Sequence, residues 1–126
     1  MSPRARLSAL WAVLVLLYVY ADVLSLYRPG QIEEIADGRM GPVEVSQATL
    51  VAAAVVVIVP SLMVFLTLVL TGSVSRWSNL VLGVLLTLVN LLNLVGETWA
   101  YYLLFGALEI AVTVLIVWYA WQWTPR

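Results

Sequence analysis

The 126-residue sequence contains no cysteine, no histidine and no lysine. Without cysteine there is no disulfide and no thiolate metal ligand. Without histidine there is no imidazole base and no His-ligated haem or metal. Cys–His and Ser–His nucleophilic catalysis are therefore excluded within one chain. Charge is scarce as well: charged residues make up 10% of the chain, against about 25% in an ordinary soluble domain. A net charge of −1 with no basic cluster leaves no electrostatic footprint for nucleic acid. What is abundant is apolar, at 63% hydrophobic residues. So few polar residues cannot cover a water-facing surface, which excludes both a soluble enzyme and a disordered segment. The class that remains is a small multi-span membrane protein.

A bilayer core of about 30 Å needs roughly 20 apolar residues per helix. Four segments qualify, at about 7–27, 49–70, 77–95 and 99–121, with a loop at 28–48. The expected fold is all-α: one domain over 1–126, a four-transmembrane-helix antiparallel bundle. The short connections Gly72–Arg76 and Gly96–Thr98 make the flanking helices antiparallel neighbours. The first span carries a basic start, Arg4 and Arg6, but its apolar run is too long for a cleaved leader and no small-x-small site follows. Placing both termini in the cytoplasm puts Arg4, Arg6, Arg76 and Arg126 inside and Arg28 and Arg39 outside, which sets the expected orientation in a cell membrane. Within the loop, Pro29 and Asp37-Gly38 bracket a short amphipathic helix with Ile32, Ile35 and Ala36 on one face. It is expected to lie on the outer interface or to lid the bundle. The acids beside it lack the D-x-D-x-D-G spacing of a calcium loop.

Charges inside a bilayer cost about 2.5–3.5 kcal/mol on insertion scales, so they turn toward the bundle interior and mark function. Two acids lie well inside spans, Asp22 in the first and Glu109 in the fourth. The third adds Asn90 and Asn93, with Glu97 just beyond its end. Helical spacing places Trp11, Val15, Tyr18, Asp22 and Ser25 on one stripe. Gly83, Thr87, Asn90, Leu94 and Glu97 share a second, and Tyr102, Phe105, Gly106, Glu109 and Thr113 a third. Three such stripes around one axis predict an outward-opening polar pocket, with Asp22, Glu109, Asn90, Asn93, Tyr18, Tyr102, Glu97 and Trp11 as its ligand-binding residues. On the second span, Pro60 removes the N–H that would bond the Val56 carbonyl, which predicts a packing kink or a carbonyl facing a cavity.

Three segments carry a resemblance: Leu7-Ser8-Ala9-Leu10-Trp11, Tyr20-Ala21-Asp22-Val23-Leu24, and Glu109-Ile110 with Trp118-Tyr119-Ala120-Trp121. They resemble an uncharacterised family of small four-span bacterial membrane proteins, a domain of unknown function. The resemblance implies the fold and a bacterial inner-membrane location, and it supplies no activity. Small multidrug transporters are similar in architecture alone: here the acid of the first helix lies toward its outer end and a second acid sits in the fourth.

Three functions fit these residues. One is binding or transport of a small lipophilic or cationic molecule, coupled to the carboxylates, in a homodimer because four helices enclose little space. Another is an accessory subunit docked on a membrane partner protein, with the acids as buried hydrogen-bonding residues. The last is an intramembrane enzyme acting on a lipid, for which the missing His, Cys and Lys leave few reaction classes. No catalytic constellation, metal site or cofactor is expected; an all-carboxylate site would need Asp22, Glu97 and Glu109 to converge. The partners expected are the lipid bilayer and a small molecule or lipid, not nucleic acid.

Overall fold

The computed structural model describes residues 1–125. The elements in order are α1 (Pro3–Ser25), α2 (Gln31–Ala36), β1 (Arg39–Met40), β2 (Val43–Glu44), α3 (Gln47–Val69), α4 (Gly72–Asn93) and α5 (Ala100–Gln122). Helices α1, α3, α4 and α5 are each long and apolar enough to cross a membrane. The protein is a multi-pass membrane protein built as a four-helix bundle. Arg126, one of the four arginines expected on the cytoplasmic side, lies outside the described residues.

Local chemistry sets the helix ends. Ser2 caps α1 by accepting the Ala5 N–H, and Pro3 fills the first turn, where a missing N–H costs nothing. A reciprocal capping box between Ser46 and Thr49 starts α3. α4 begins at Gly72, so the connection expected over Gly72–Arg76 is already helix and only Leu70 and Thr71 join α3 to α4. Ser75 explains this early start: its hydroxyl reaches back 2.9 Å to the Thr67 carbonyl and locks the hairpin.

The helices surround one core of Leu7, Trp11, Leu14, Met63, Leu86 and Ile116, with Tyr18 and Val112 at its edge. α1 packs along α3 and α5, and α5 packs along α4, whereas α3 meets α4 far less. Gly83 gives α4 its close approach to α5: a Cβ there would lie 2.8 Å from Val117 Cγ2. The bundle has a terminal end, which holds the start of α1 and the end of α5, and a loop end opposite it.

The two ends differ in kind. Toward the terminal end the bundle is cross-braced by polar bonds. Arg4 donates to the Thr67 carbonyl (2.8 Å), Ser8 to the Val64 carbonyl (2.7 Å) and the Trp11 indole to Asn79 Oδ1 (2.6 Å). Asn79 in turn donates to Thr67 Oγ1 (3.3 Å) and to the Ser75 carbonyl (2.7 Å). Toward the loop end, α3 is bare. Its buried residues are Pro60, Met63 and Thr67, and none of residues 47–55 is buried. The helix runs unbroken through Pro60, and the Ser61 hydroxyl bonds the Val57 carbonyl (2.7 Å), not the Val56 carbonyl that Pro60 leaves without its helical donor.

The loop departs from expectation in two ways. α2 is present, but it packs chiefly on β1 and leaves Ile32 exposed, so it does not lid the bundle. A small hairpin follows it, with Met40 opposite Val43 across a Gly41-Pro42 turn. Gly41 at φ +59° supplies the left-handed first position that a two-residue hairpin turn requires.

Candidate functional site

The loop-end half of the bundle gathers most of the residues the stripes single out. Tyr18, 7% exposed, donates its hydroxyl to Asn90 Oδ1 at 2.6 Å, tying α1 to α4 across the core. Asn90 is almost wholly buried, yet its Nδ2 has no hydrogen-bond partner among the described residues. Glu109 is buried on α5, and its carboxyl has no hydrogen-bond donor among the described residues. The nearby threonines do not serve it: Thr113 donates to the Glu109 and Ile110 carbonyls, and Thr87 to the Gly83 carbonyl. Asp22 lies within Coulombic range of Glu109, and both lie within range of Tyr102. These five residues form one cluster.

Asp22 stands at the edge of that cluster. The buried stripe of α1 is centred on Trp11, Leu14, Tyr18 and Ala21, so the helix is turned about 60–80° from the Val15–Asp22 line, somewhat less than one 100° helical step. Asp22 is exposed and has no ion pair among the described residues. The α1 face toward α3 is marked by Ser8, which bonds α3; Asp22 is almost four turns beyond it on the same side, level with the bare half of α3.

Three expected site residues fall elsewhere. Trp11, fully buried, belongs to the terminal-end brace with Asn79, because its indole N–H needs an acceptor and Asn79 is the one within reach. Asn93 is exposed at the last turn of α4, one step around the helix from Asn90 and off the packed face. Glu97 lies in the α4–α5 turn and is ion-paired with Arg28. Among the described residues no three carboxylates or other metal-ligating side chains converge, so Asp22, Glu97 and Glu109 do not form a common metal site.

Arg28 is the residue that sequence reasoning missed. Its guanidinium lies 5.2 Å from the Trp99 ring centroid, 5.3 Å from Tyr101 and 5.7 Å from Tyr102, so three rings and one carboxylate enclose the cation. The Tyr101 hydroxyl also meets Ser25 Oγ at 2.9 Å. Together these contacts clasp the end of α1 to the start of α5, directly beyond Tyr102. Burial alone pushes the Glu97 carboxyl up. The Trp99 N–H, the Arg28 guanidinium and the Thr98 N–H outweigh it and hold the group below the usual carboxylate range.

The expected wet chamber is not where the principal cavities are. One, an open surface cavity of about 400 Å³, lies at the terminal end; the other, of about 300 Å³, is an apolar surface groove between α4 and α5. Beside Glu109 the interior is filled by Tyr18, Asn90 and Val112, all buried. The arrangement is a closed polar cluster with unmet hydrogen-bonding capacity, next to a helix half with no buried residue over 47–55.

A sequence model described as a family of unknown function (DUF6326) matches residues 2–126. The chain belongs to that family. No curated protein and no solved structure matches it. Membership in DUF6326 brings no activity to any residue of the cluster.

Proposed function

We propose that the protein binds a small lipophilic cation within the membrane, at Asp22, Glu109, Asn90, Tyr18 and Tyr102, and that it moves such molecules or senses them there. The observation that carries this reading is the buried Asn90 amide donor, which has no partner among the described residues, in one cluster with the largely buried Glu109. A buried polar group left without a partner costs about 1–3 kcal/mol, and a ligand offering one acceptor and one cationic donor would recover it. Asp22, exposed beside them, supplies the first electrostatic attraction. The bare half of α3 supplies the way in: with little holding residues 47–55, movement beyond Pro60 opens the cluster sideways to the bilayer.

The same reading places the protein in the cell membrane with both termini cytoplasmic. It rests on Arg4, Arg6 and Arg76 at the terminal end, against Arg28 and Arg39 at the other. Acid cluster, loop and clasp then face outward.

Diphenhydramine, a lipophilic cation whose ether oxygen accepts and whose protonated amine donates, titrated into the purified protein tests the binding. Wild type is expected to bind saturably, and Glu109→Gln and Asp22→Asn to weaken binding by about tenfold or more, the scale of one lost charge-assisted contact. Equal affinity in all three proteins refutes the proposal. The bare α3 face also favours a second reading, an accessory subunit that docks that face on a membrane partner. Stoichiometric co-purification of such a partner, lost on substituting Ala52 by leucine, would establish it instead.

A further inference from the structure

The larger cavity lies far from the acid cluster, at the terminal end, and its walls are built differently. Arg4, Trp123, Thr124, Gln122 and Gly72 line about 400 Å³ of space. Arg4 is held in place: one guanidinium nitrogen donates to the Thr67 carbonyl (2.8 Å), and the Trp123 ring centroid lies 5.3 Å from its central carbon. That leaves further N–H donors on a fixed cation. The Gln122 amide and the Thr124 hydroxyl make no side-chain hydrogen bond among the described residues, so both can turn to an occupant. Gly72, the first residue of α4, also lines this space with Pro125 packed against it, and the N-cap Thr71 gives no side-chain bond to the free N–H groups of the helix. The cavity and the guanidinium in its wall define the site; the positive end of α4 adds to it.

Among the described residues, the charged side chains around this end have one sign. Arg4, Arg6 and Arg76 lie here, and the acids do not: the nearest on α5, Glu109, is about 20 Å along the helix from Gln122. Trp77, Trp121 and Trp123 ring the same level, which is where tryptophans sit at a membrane–water boundary. A phosphate group fits these donors. A lipid headgroup at this depth brings one, with its acyl chains running along the exposed leucines and valines of the bundle. A zwitterionic headgroup also carries an ammonium, for which the described residues at this end offer no Asp or Glu side chain.

We infer that the terminal-end cavity holds the phosphate of an anionic phospholipid headgroup, gripped by Arg4 with Gln122, Thr124 and the start of α4. This site is separate from the acid cluster, and neither proposal depends on the other.

The test is native mass spectrometry and thermal unfolding of the purified full chain in detergent with dioleoyl-phosphatidylglycerol, dioleoyl-phosphatidylcholine or inorganic phosphate. One phosphatidylglycerol retained per chain, with a raised Tm, is expected; phosphatidylcholine and inorganic phosphate should do neither. Arg4→Gln should weaken phosphatidylglycerol binding by about tenfold or more. Because that change also removes the bond to Thr67, the pair Gln122→Leu with Thr124→Val gives an independent reading, and it should weaken binding by about threefold or more. Arg6→Gln, whose guanidinium lies over Tyr119 and not in the cavity, should bind like wild type. Equal binding of the two lipids, or an Arg6→Gln loss as large as that of Arg4→Gln, overturns the site in favour of diffuse attraction. Unchanged binding in both cavity variants overturns it as well. A Tm raised by inorganic phosphate alone overturns the lipid as occupant.

Discussion

Replacing Asn79 by alanine should loosen the whole terminal-end half of the bundle. Asn79 is fully buried and accepts the Trp11 indole N–H while donating to Thr67 Oγ1, so it joins three helices. Interhelical hydrogen bonds in membrane bundles are worth about 0.6–1.7 kcal/mol each. The Trp11 N–H also loses its acceptor inside a filled core, and an orphaned buried donor costs about 1–3 kcal/mol. Because these terms overlap, the expected loss is about 2–4 kcal/mol. Reversible unfolding in mixed micelles, followed by tryptophan fluorescence, measures it. Trp11→Phe removes the same bond, orphaning Asn79 Oδ1 instead and leaving a gap in the core, and should cost about 1–3 kcal/mol; the double variant should reveal a coupling of at least about 0.5 kcal/mol. A loss below about 0.5 kcal/mol for Asn79→Ala, or additive single effects, would show that the brace is a geometric accident.

Other substitutions probe separate features. Gly83→Ala puts a Cβ 2.8 Å from Val117 Cγ2 and should cost about 1–3 kcal/mol of stability by overpacking, measured in the same micelle assay; a neutral outcome would deny the close α4–α5 approach. Tyr18→Phe leaves the second end of the Asn90 amide unpartnered and should cost about 1–2 kcal/mol, with a wild-type Tm contradicting the Tyr18–Asn90 bond. The Arg28–Glu97 clasp should show in a pH titration of Tm. The folded Glu97 carboxyl lies below its ordinary value, so its contribution is complete above that ordinary value and is lost as pH falls through the folded one. Wild type should therefore lose more Tm than Glu97→Gln on acidification below about pH 4.5, the ordinary glutamate range, and parallel curves would show that the clasp adds nothing to stability.

The four spans were legible because long apolar runs have few other uses in so uncharged a chain. The stripe on α5 was legible too: Gly106, Glu109 and Thr113 share the buried face that helical spacing assigns them. Legibility failed where a residue's partner lies far along the chain. Asn79 sits beside Trp77 and Ser78 and resembles an interfacial turn, and only the returning Thr67 and Trp11 make it a core residue. Its 11-residue spacing from Asn90, three full turns, was the available signal. Arg28 gave no local sign at all, since its ion-pair partner and its rings come from residues 97–102. The bareness of α3 was hidden for a different reason: a lipid-facing valine and a core valine look alike in sequence.

A binding role for the acid cluster requires α1 to be reachable by water at Asp22 while its packed core face stays sealed. The chain has no cysteine of its own, so single cysteines report each position cleanly. Asp22→Cys and Leu14→Cys, one exposed and one fully buried on the same helix, can be treated in vesicles with a membrane-impermeant, water-soluble thiol reagent. Rapid labelling at position 22 with none at 14 is the predicted result. An unreactive thiol at position 22 would mean that this face of α1 looks into lipid, and would contradict a water-reachable acid at the mouth of the cluster.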